Sequence, residues 1–265
     1  MIQHLKAIWT FRYFWTSLVK MDLMTRYRKS SLGILWSLLH PLSMTAVFAL
    51  AFRHLAGGSW QEYTLLTLCG MTVFNFLRDC TLQGCHALAR NDAYIRQSPL
   101  PYSIYSLRVM LYNFVHFVIS LAVLVLLAAV FSTFSSGHTA NYVNMWMALP
   151  MVLVLAVCAW AMSTITAFIT VFFHDVSHIM EVAAQILFFL TPIFYGREMF
   201  DNRKMSYLVD WNPIAAFIEV IRSPLVRGRP ATDAEYLTVF GVTAAVVGLA
   251  ILTVHKLSKR VIFYM

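Results

Sequence analysis

Long apolar stretches with no formal charge alternate along this chain with short polar segments that are mostly basic. No Asp, Glu, Lys or Arg occurs from Ser30 to Phe52, from Val109 to His174, or from Tyr236 to His255. A helix over the first of these runs is ~34 Å long, enough to cross a hydrocarbon core of ~30 Å. The second has room for two crossings, with Phe131–Gly137 (FSTFSSG) as the turn between them. The pattern predicts six transmembrane helices, over about 31–53, 63–79, 105–131, 146–173, 177–196 and 236–255. The expected fold is therefore all-α, a polytopic membrane protein forming a single transmembrane domain across 1–265.

The segments between the spans are themselves organised. Over 1–30, Ile8, Phe11, Trp15, Leu18 and Val19 recur at helical spacing with Lys6, Arg12 and Lys20 between them. This predicts an amphipathic helix on the membrane face, or a leading helix packed on the bundle. In the loop 78–104, His86–Gln97 suits a short polar helix that Pro99 and Pro101 stop. The segment 197–235 is long for a loop. Within it, Asn212-Pro213 is a helix-start signal, with Asn as N-cap and Pro at the first helical position. Ile214, Phe217, Ile218, Ile221 and Leu225 then form an apolar stripe. These features predict a short re-entrant or interfacial helix between spans five and six, with Thr191-Pro192 breaking the fifth span before it.

Composition agrees: 60% of residues are hydrophobic, 12% are charged, and mean hydropathy is +0.68. A soluble domain carries about a quarter charged residues. The net charge of +8 does not point to nucleic acid, because the basic residues flank apolar spans, where they set orientation. Lys6, Arg12, Lys20, Arg26, Arg28 and Lys29 precede the first span, Arg78, Arg90, Arg96 and Arg108 lie between the second and third, and Lys256, Lys259 and Arg260 follow the last. That bias predicts both termini on the inner side of the membrane, with anionic lipid headgroups or an anionic substrate as partners. The exception is 197–235, whose basic residues are offset by Glu198, Asp201, Asp210, Glu219, Asp233 and Glu235. Lys6, Arg12, Lys20 and Asp22 interrupt the N-terminus, which does not read as a cleavable signal peptide. Cys69, Cys80, Cys85 and Cys158 fall in spans or inner loops, so no disulfide is expected.

None of the glycines is followed by Lys, so no phosphate-binding loop of the G-x-x-x-x-G-K-[ST] kind is present. Energy for uphill work would have to come from a partner or an ion gradient. Arg26-Tyr27-Arg28-Lys29-Ser30-Ser31-Leu32-Gly33-Ile34-Leu35-Trp36, then His40-Pro41-Leu42, resembles the R-Y-x-x-S-x-L-G-x-L-W…P-L lead-in to the first span of a known family. That family is the membrane subunit of ABC exporters of the type-two permease class, in particular the polysaccharide exporters. Asn91 through Tyr94, Ile95 and Arg96 to Pro99-Leu100-Pro101 is similar to its first cytoplasmic loop. Phe173-His174-Asp175, Thr191-Pro192-Ile193-Phe194-Tyr195, and Asn212-Pro213 with Glu219 and Arg222 resemble its F-x-D…S-P-I-x-Y…N-P…E…R succession. The departures are His174 where Arg is usual and Thr191 where Ser is usual.

The resemblance implies the channel-forming subunit of an exporter for a lipid-linked cell-surface polysaccharide, foremost O-antigen. The same class also includes permeases for teichoic acid, capsule or a smaller lipid or drug. It implies a homodimer served by two copies of a separate ATPase subunit, which bind the ATP and Mg; this chain would hold no cofactor, no metal and no catalytic residue. Trp36, His40, Phe194 and Tyr195 fall where the family's pore lies, and aromatic faces suit the C–H surfaces of sugars. They suit ordinary interfacial packing equally well. Arg26, Arg28 and Lys29 are candidates for a lipid pyrophosphate or headgroup, or plain positive-inside anchors. His86, Asn91, Asp92, Tyr94 and Arg96 are candidates for ATPase coupling. Asn212, Pro213, Glu219 and Arg222 are candidates for an outer gate, with Glu219 and Arg222 paired at i and i+3.

A different class of reading is an intramembrane zinc protease. His174 and His178, at i and i+4, could ligate zinc. Asp175, however, stands where such proteases carry Glu, and no motif supplies a third ligand. Asp175 suits the N-cap of the fifth span better.

Overall fold

The computed structural model describes residues 6, 8–28, 32–56, 60–97, 100–134, 142–194, 212–262 and 264. Among these the chain is helix and turn throughout, with no strand. The α-helices are α1 (Arg12–Tyr27), α2 (Trp36–Ala56), α3 (Trp60–Cys85), α4 (Asp92–Gln97), α5 (Ser103–Phe134), α6 (Ala148–Phe172), α7 (Val176–Leu190), α8 (Pro213–Arg222) and α9 (Asp233–Val261). Short 3-10 turns at Gly33–Leu35, Ala89–Asn91 and Tyr142–Met147 lead into α2, α4 and α6.

Among the described residues, four helices are long and apolar enough to cross a membrane: α3, α5, α9, and α6 with its lead-in from Asn144. The other two expected crossings coincide with α2, which carries Pro41 in its second turn, and α7. The α7 helix has 15 residues and reaches roughly 22 Å, short of a bilayer core. It ends at Leu190 rather than 196 because Thr191 leaves the helix (φ −91°, ψ 136°) ahead of Pro192, in the extended conformation that a following proline favours. The second span, expected to end near 79, continues as helix to Cys85. No proline stands in that stretch, and its polar groups are satisfied as helix extends: Thr81 Oγ1 donates to Leu77 O at 2.8 Å, and Gln83 reaches Asn113 on α5.

The core lies where α3, α5, α6 and α8 meet, around Leu68, Val73, Phe117, Leu155 and Ile218. α3 and α6 cross closely at Gly84. A Cβ there would come within 2.7 Å of Ser163 Oγ and Thr166 Oγ1, so glycine is what lets small polar residues of α6 reach α3. Thr166 Oγ1 uses that approach to donate to Thr81 O at 3.1 Å. A second cluster joins Ala87, Leu88, Ile95, Tyr105, Phe168 and Val261. It brings the end of α9 to the α3–α4 turn, against which Asp22 of α1 is also held. Both terminal helices thus meet one end of the bundle, and α8 closes the other. Of the two expectations for the first segment, the packed helix fits: Leu18 is buried, Trp15 is half-buried, and α1 lies along α5. The four cysteine thiols are free and buried.

Candidate functional site

At the end opposite the termini, α8 is built by its caps. Asn212 accepts from Ile214 N at 3.0 Å through Oδ1, satisfying one of the orphan donors of the first turn, and Pro213 occupies a position that needs no donor. Asn212 Nδ2 donates to Thr191 Oγ1 at 2.9 Å. The cap residue of α8 is therefore tied to the residue that ends α7. A π-helical turn, Ser223–Arg227, continues α8 and closes at Gly228 in the left-handed region (φ 64°), a conformation glycine adopts at little cost. Gly228 O accepts from Asn144 Nδ2 at 2.8 Å.

The apolar stripe turns into the bundle, not the membrane surface. Every residue from Ala215 to Arg222 is buried, including both charges. The Arg222 guanidinium, 0% exposed, donates to Glu219 Oε1 at 2.8 Å, to Ile193 O at 2.8 Å and to Pro192 O at 3.3 Å. Glu219 Oε2 accepts from Arg227 at 3.2 Å and Ser223 Oγ at 3.3 Å. Burying an isolated ion would cost many kcal/mol, and a partnered, hydrogen-bonded cluster is how that cost is offset. Burial pushes the Glu219 carboxyl upward, but Arg222 and Arg227 beside it outweigh that, and the group stays below the ordinary carboxylate range. The carbonyls of Pro192 and Ile193 lie just past the end of α7, in chain that is no longer helical. Arg222 supplies their donors. The expected Glu219–Arg222 pair thus forms inside a larger unit that joins Asn212, Thr191, Pro192, Ile193, Ser223 and Arg227.

Gly70 on α3 faces this unit. A Cβ there would collide with Arg222 Nη2 and stand 2.7 Å from Ile193 O. Sequence reasoning missed Gly70, Arg227 and the two carbonyls. A glycine within an apolar helix was the one available signal, and any close packing of two helices leaves the same mark.

The two aromatic candidates among the described residues, Trp36 and Phe194, sit apart. Phe194 is half-buried; it packs on Phe48 of α2 (centroids 4.2 Å apart) and meets Phe188 of α7 edge to face (5.4 Å), in a cluster that includes Phe74. Trp36 is half exposed at the start of α2 and lines a small cavity of about 120 Å³ with Arg26, Asn75, Arg78, Asp79 and His116. Twelve residues separate Trp36 from Phe48, which places the two rings ~18 Å apart along the helix. Tyr195, Lys29 and the side chain of His40 lie outside the described residues. Arg28 is exposed; Arg26 donates to Tyr112 Oη at 2.5 Å and lies over that ring.

At the end carrying the termini, Arg108 of α5 makes a forked ion pair with Asp22 of α1, both bonds 2.6 Å. Its third nitrogen donates to Asn91 Oδ1 at 2.6 Å. Asn91 in turn donates to Ala87 O at 2.7 Å. Asn91 is buried, so of the proposed coupling residues it faces the bundle and cannot present its side chain to a docking partner. Tyr94 is exposed and meets Phe14 of α1 edge to face (6.0 Å); Asp92 and Arg96 pair with each other at 2.7 Å on the surface, and His86 is half-buried. Asp22 and Arg108 were legible as candidates only faintly: Asp22 is the one acid in residues 1–30, and Arg108 directly precedes the charge-free stretch.

His174 and His178 are both exposed at the start of α7, and His178 stands 3.8 Å from Glu181. Among the described residues no three His, Cys, Asp or Glu side chains converge as a metal-binding group. Asp175 occupies the N-cap position of α7, but its side chain makes no capping hydrogen bond.

A profile of the ABC-2 type transporter family matches residues 13–226. Curated relatives include an O-antigen export system permease protein, RfbA, of Klebsiella pneumoniae, 25% identical over 90% of each chain. A second RfbA, from Myxococcus xanthus, is 23% identical over 93% of this chain and 92% of its own. The polysialic acid transport protein KpsM of Escherichia coli is 19% identical over 87% of this chain and 88% of its own.

Proposed function

The chain belongs to the ABC-2 type transporter family, and on that premise we propose that it is the channel-forming subunit of an ATP-driven exporter of a lipid-linked cell-surface polysaccharide, foremost O-antigen. The observation that carries this reading is the end-to-end likeness to two proteins named as O-antigen export permeases, at 90% coverage of both chains or more. The polysialic acid relative favours the same class of cargo, a long glycan.

In this reading 1–265 is one permease domain with six crossings in the bacterial inner membrane, both termini in the cytoplasm. The helix within 1–30 lies at the cytoplasmic interface, the stretch within 78–104 that carries α4 serves coupling, and α8 within 197–235 serves as the outer gate. Two copies build the pore. Two copies of a separate ATPase dock beneath, binding the ATP and Mg, and touch Asp92, Tyr94 and Arg96. The chain itself carries no catalytic residue. A glycan-wide pore must close between substrates, and α8 is placed to do so because it is tied to the broken end of α7. Deleting this chain in its host should abolish surface polysaccharide and leave lipid-linked polymer on the cytoplasmic side. Unchanged surface polymer would overturn the cargo assignment.

A further inference from the structure

We propose that the cavity between α1, the α3–α4 turn and α5 binds a phosphate-bearing headgroup. The cavity holds about 450 Å³, within the range of small-ligand sites of ~300–1,000 Å³. Its charged lining is Arg26, Arg90, Arg108 and Asp22, with Gln83 and Tyr112 among the polar groups beside them. Both Asp22 oxygens are taken by Arg108 at 2.6 Å, so this one carboxylate is spent within the wall. The lining carries two further guanidiniums, Arg26 and Arg90, and no second carboxylate. A neutral sugar offers nothing to match two guanidiniums, whereas a phosphate offers paired oxygens that fit the guanidinium fork.

The setting matches a lipid headgroup in depth as well as charge. The cavity sits where α5 leaves its polar start, just before the charge-free run that begins at Val109, and where α1 lies along the bundle. Basic pockets between helices at this level are where anionic headgroups bind. Arg26 also lines the smaller cavity beside Trp36, and the Gln83–Asn113 pair (3.2 Å) stands between the two spaces. A headgroup held by Arg26 and Arg90 would therefore pin α1 to the α3–α4 turn through the ligand, in addition to the Arg108 fork. The site is independent of the export reading, because it holds a phosphate whatever the cargo.

The test uses the full chain purified in detergent, with thermal unfolding followed as ligand is titrated. Dihexanoyl phosphatidylglycerol should raise the melting temperature, and dihexanoyl phosphatidylcholine should not. In Arg26→Gln and in Arg90→Gln the concentration giving half the effect should rise about tenfold, the loss expected for one charge-assisted contact. Arg90 is exposed, so its replacement leaves the fold intact; Lys256→Gln, an exposed base elsewhere, should behave as the parent protein. If inorganic pyrophosphate protects with the same dependence on Arg26 and Arg90 and the lipid does not, the phosphate comes from a pyrophosphate carrier or free anion, and the site stands. Equal protection by phosphatidylcholine, no protection by any of the three, or an unchanged half-effect in both variants would overturn it.

Discussion

Gly70 of α3 and Arg222 of α8 occupy complementary space: a methyl group on Gly70 would fall on the Arg222 guanidinium. The contact lets a fully buried arginine reach across to the carbonyls of Pro192 and Ile193, where α7 breaks.

Gly70→Ala should therefore act at a distance. The added methyl has backbone on one side and an ion-paired group on the other, so Arg222 must leave at least one carbonyl. We expect a loss of ~1–3 kcal/mol, typical of overpacking a filled core. Thermal unfolding checks it. A variant as stable as the parent would show that Arg222 relaxes freely.

Arg222→Ala and Glu219→Ala each leave the other charge buried, which costs ~3–5 kcal/mol. The double variant should cost less than the two added together, since the residues share one network. Arg222→Lys should rescue poorly, because an ammonium cannot present a fork to Glu219 and two carbonyls at once. Export by cells and ion leak in vesicles read the functional side. If both single variants export normally without leak, α8 is structural only.

The acidity of Glu219 sets the pH window. Its folded pKa lies below the ordinary carboxylate value of about 4.5. A lowered folded pKa means that the stabilisation is fully present above the unfolded value and is lost as pH falls through the folded one. Unfolding temperature should thus show no pH dependence from this group between about pH 5 and 8, and a fall below about pH 4 that Glu219→Gln removes. A Glu219-dependent change near neutrality would contradict the assigned charge state.

The Asp22–Arg108–Asn91 fork ties α1, the loop before α4 and α5 into one unit. Arg108→Gln should loosen α1 from the bundle, seen as faster amide exchange over 12–27. In the assembled complex, ATP hydrolysis should persist while export falls. Cysteine crosslinks from Tyr94 to the ATPase should form in the parent protein, and crosslinks from the buried Asn91 should be weak. Efficient crosslinking from Asn91 would mean that the loop rearranges on docking.

Much of the architecture was set by the chain's local chemistry. The charge-free runs dictate helices, because buried backbone in a membrane must be satisfied within its own segment. The Asn212-Pro213 start and the break at Thr191-Pro192 are likewise local, and so is the helical spacing that pairs Glu219 with Arg222. The family motifs could be read from order alone. What the tertiary structure decided is which groups meet. The sequence cannot say that α8 enters the bundle instead of lying on it, that Arg222 serves the carbonyls of a break thirty residues earlier, or that Asn91 turns inward to Arg108. Nor can it tell that Phe194 packs against Phe48, far along the helix from Trp36. Each of these depends on contacts between distant segments, where a charge is buried only if the fold supplies its partners. Periodicity reports that a residue has a buried side, and carries no information on what waits there.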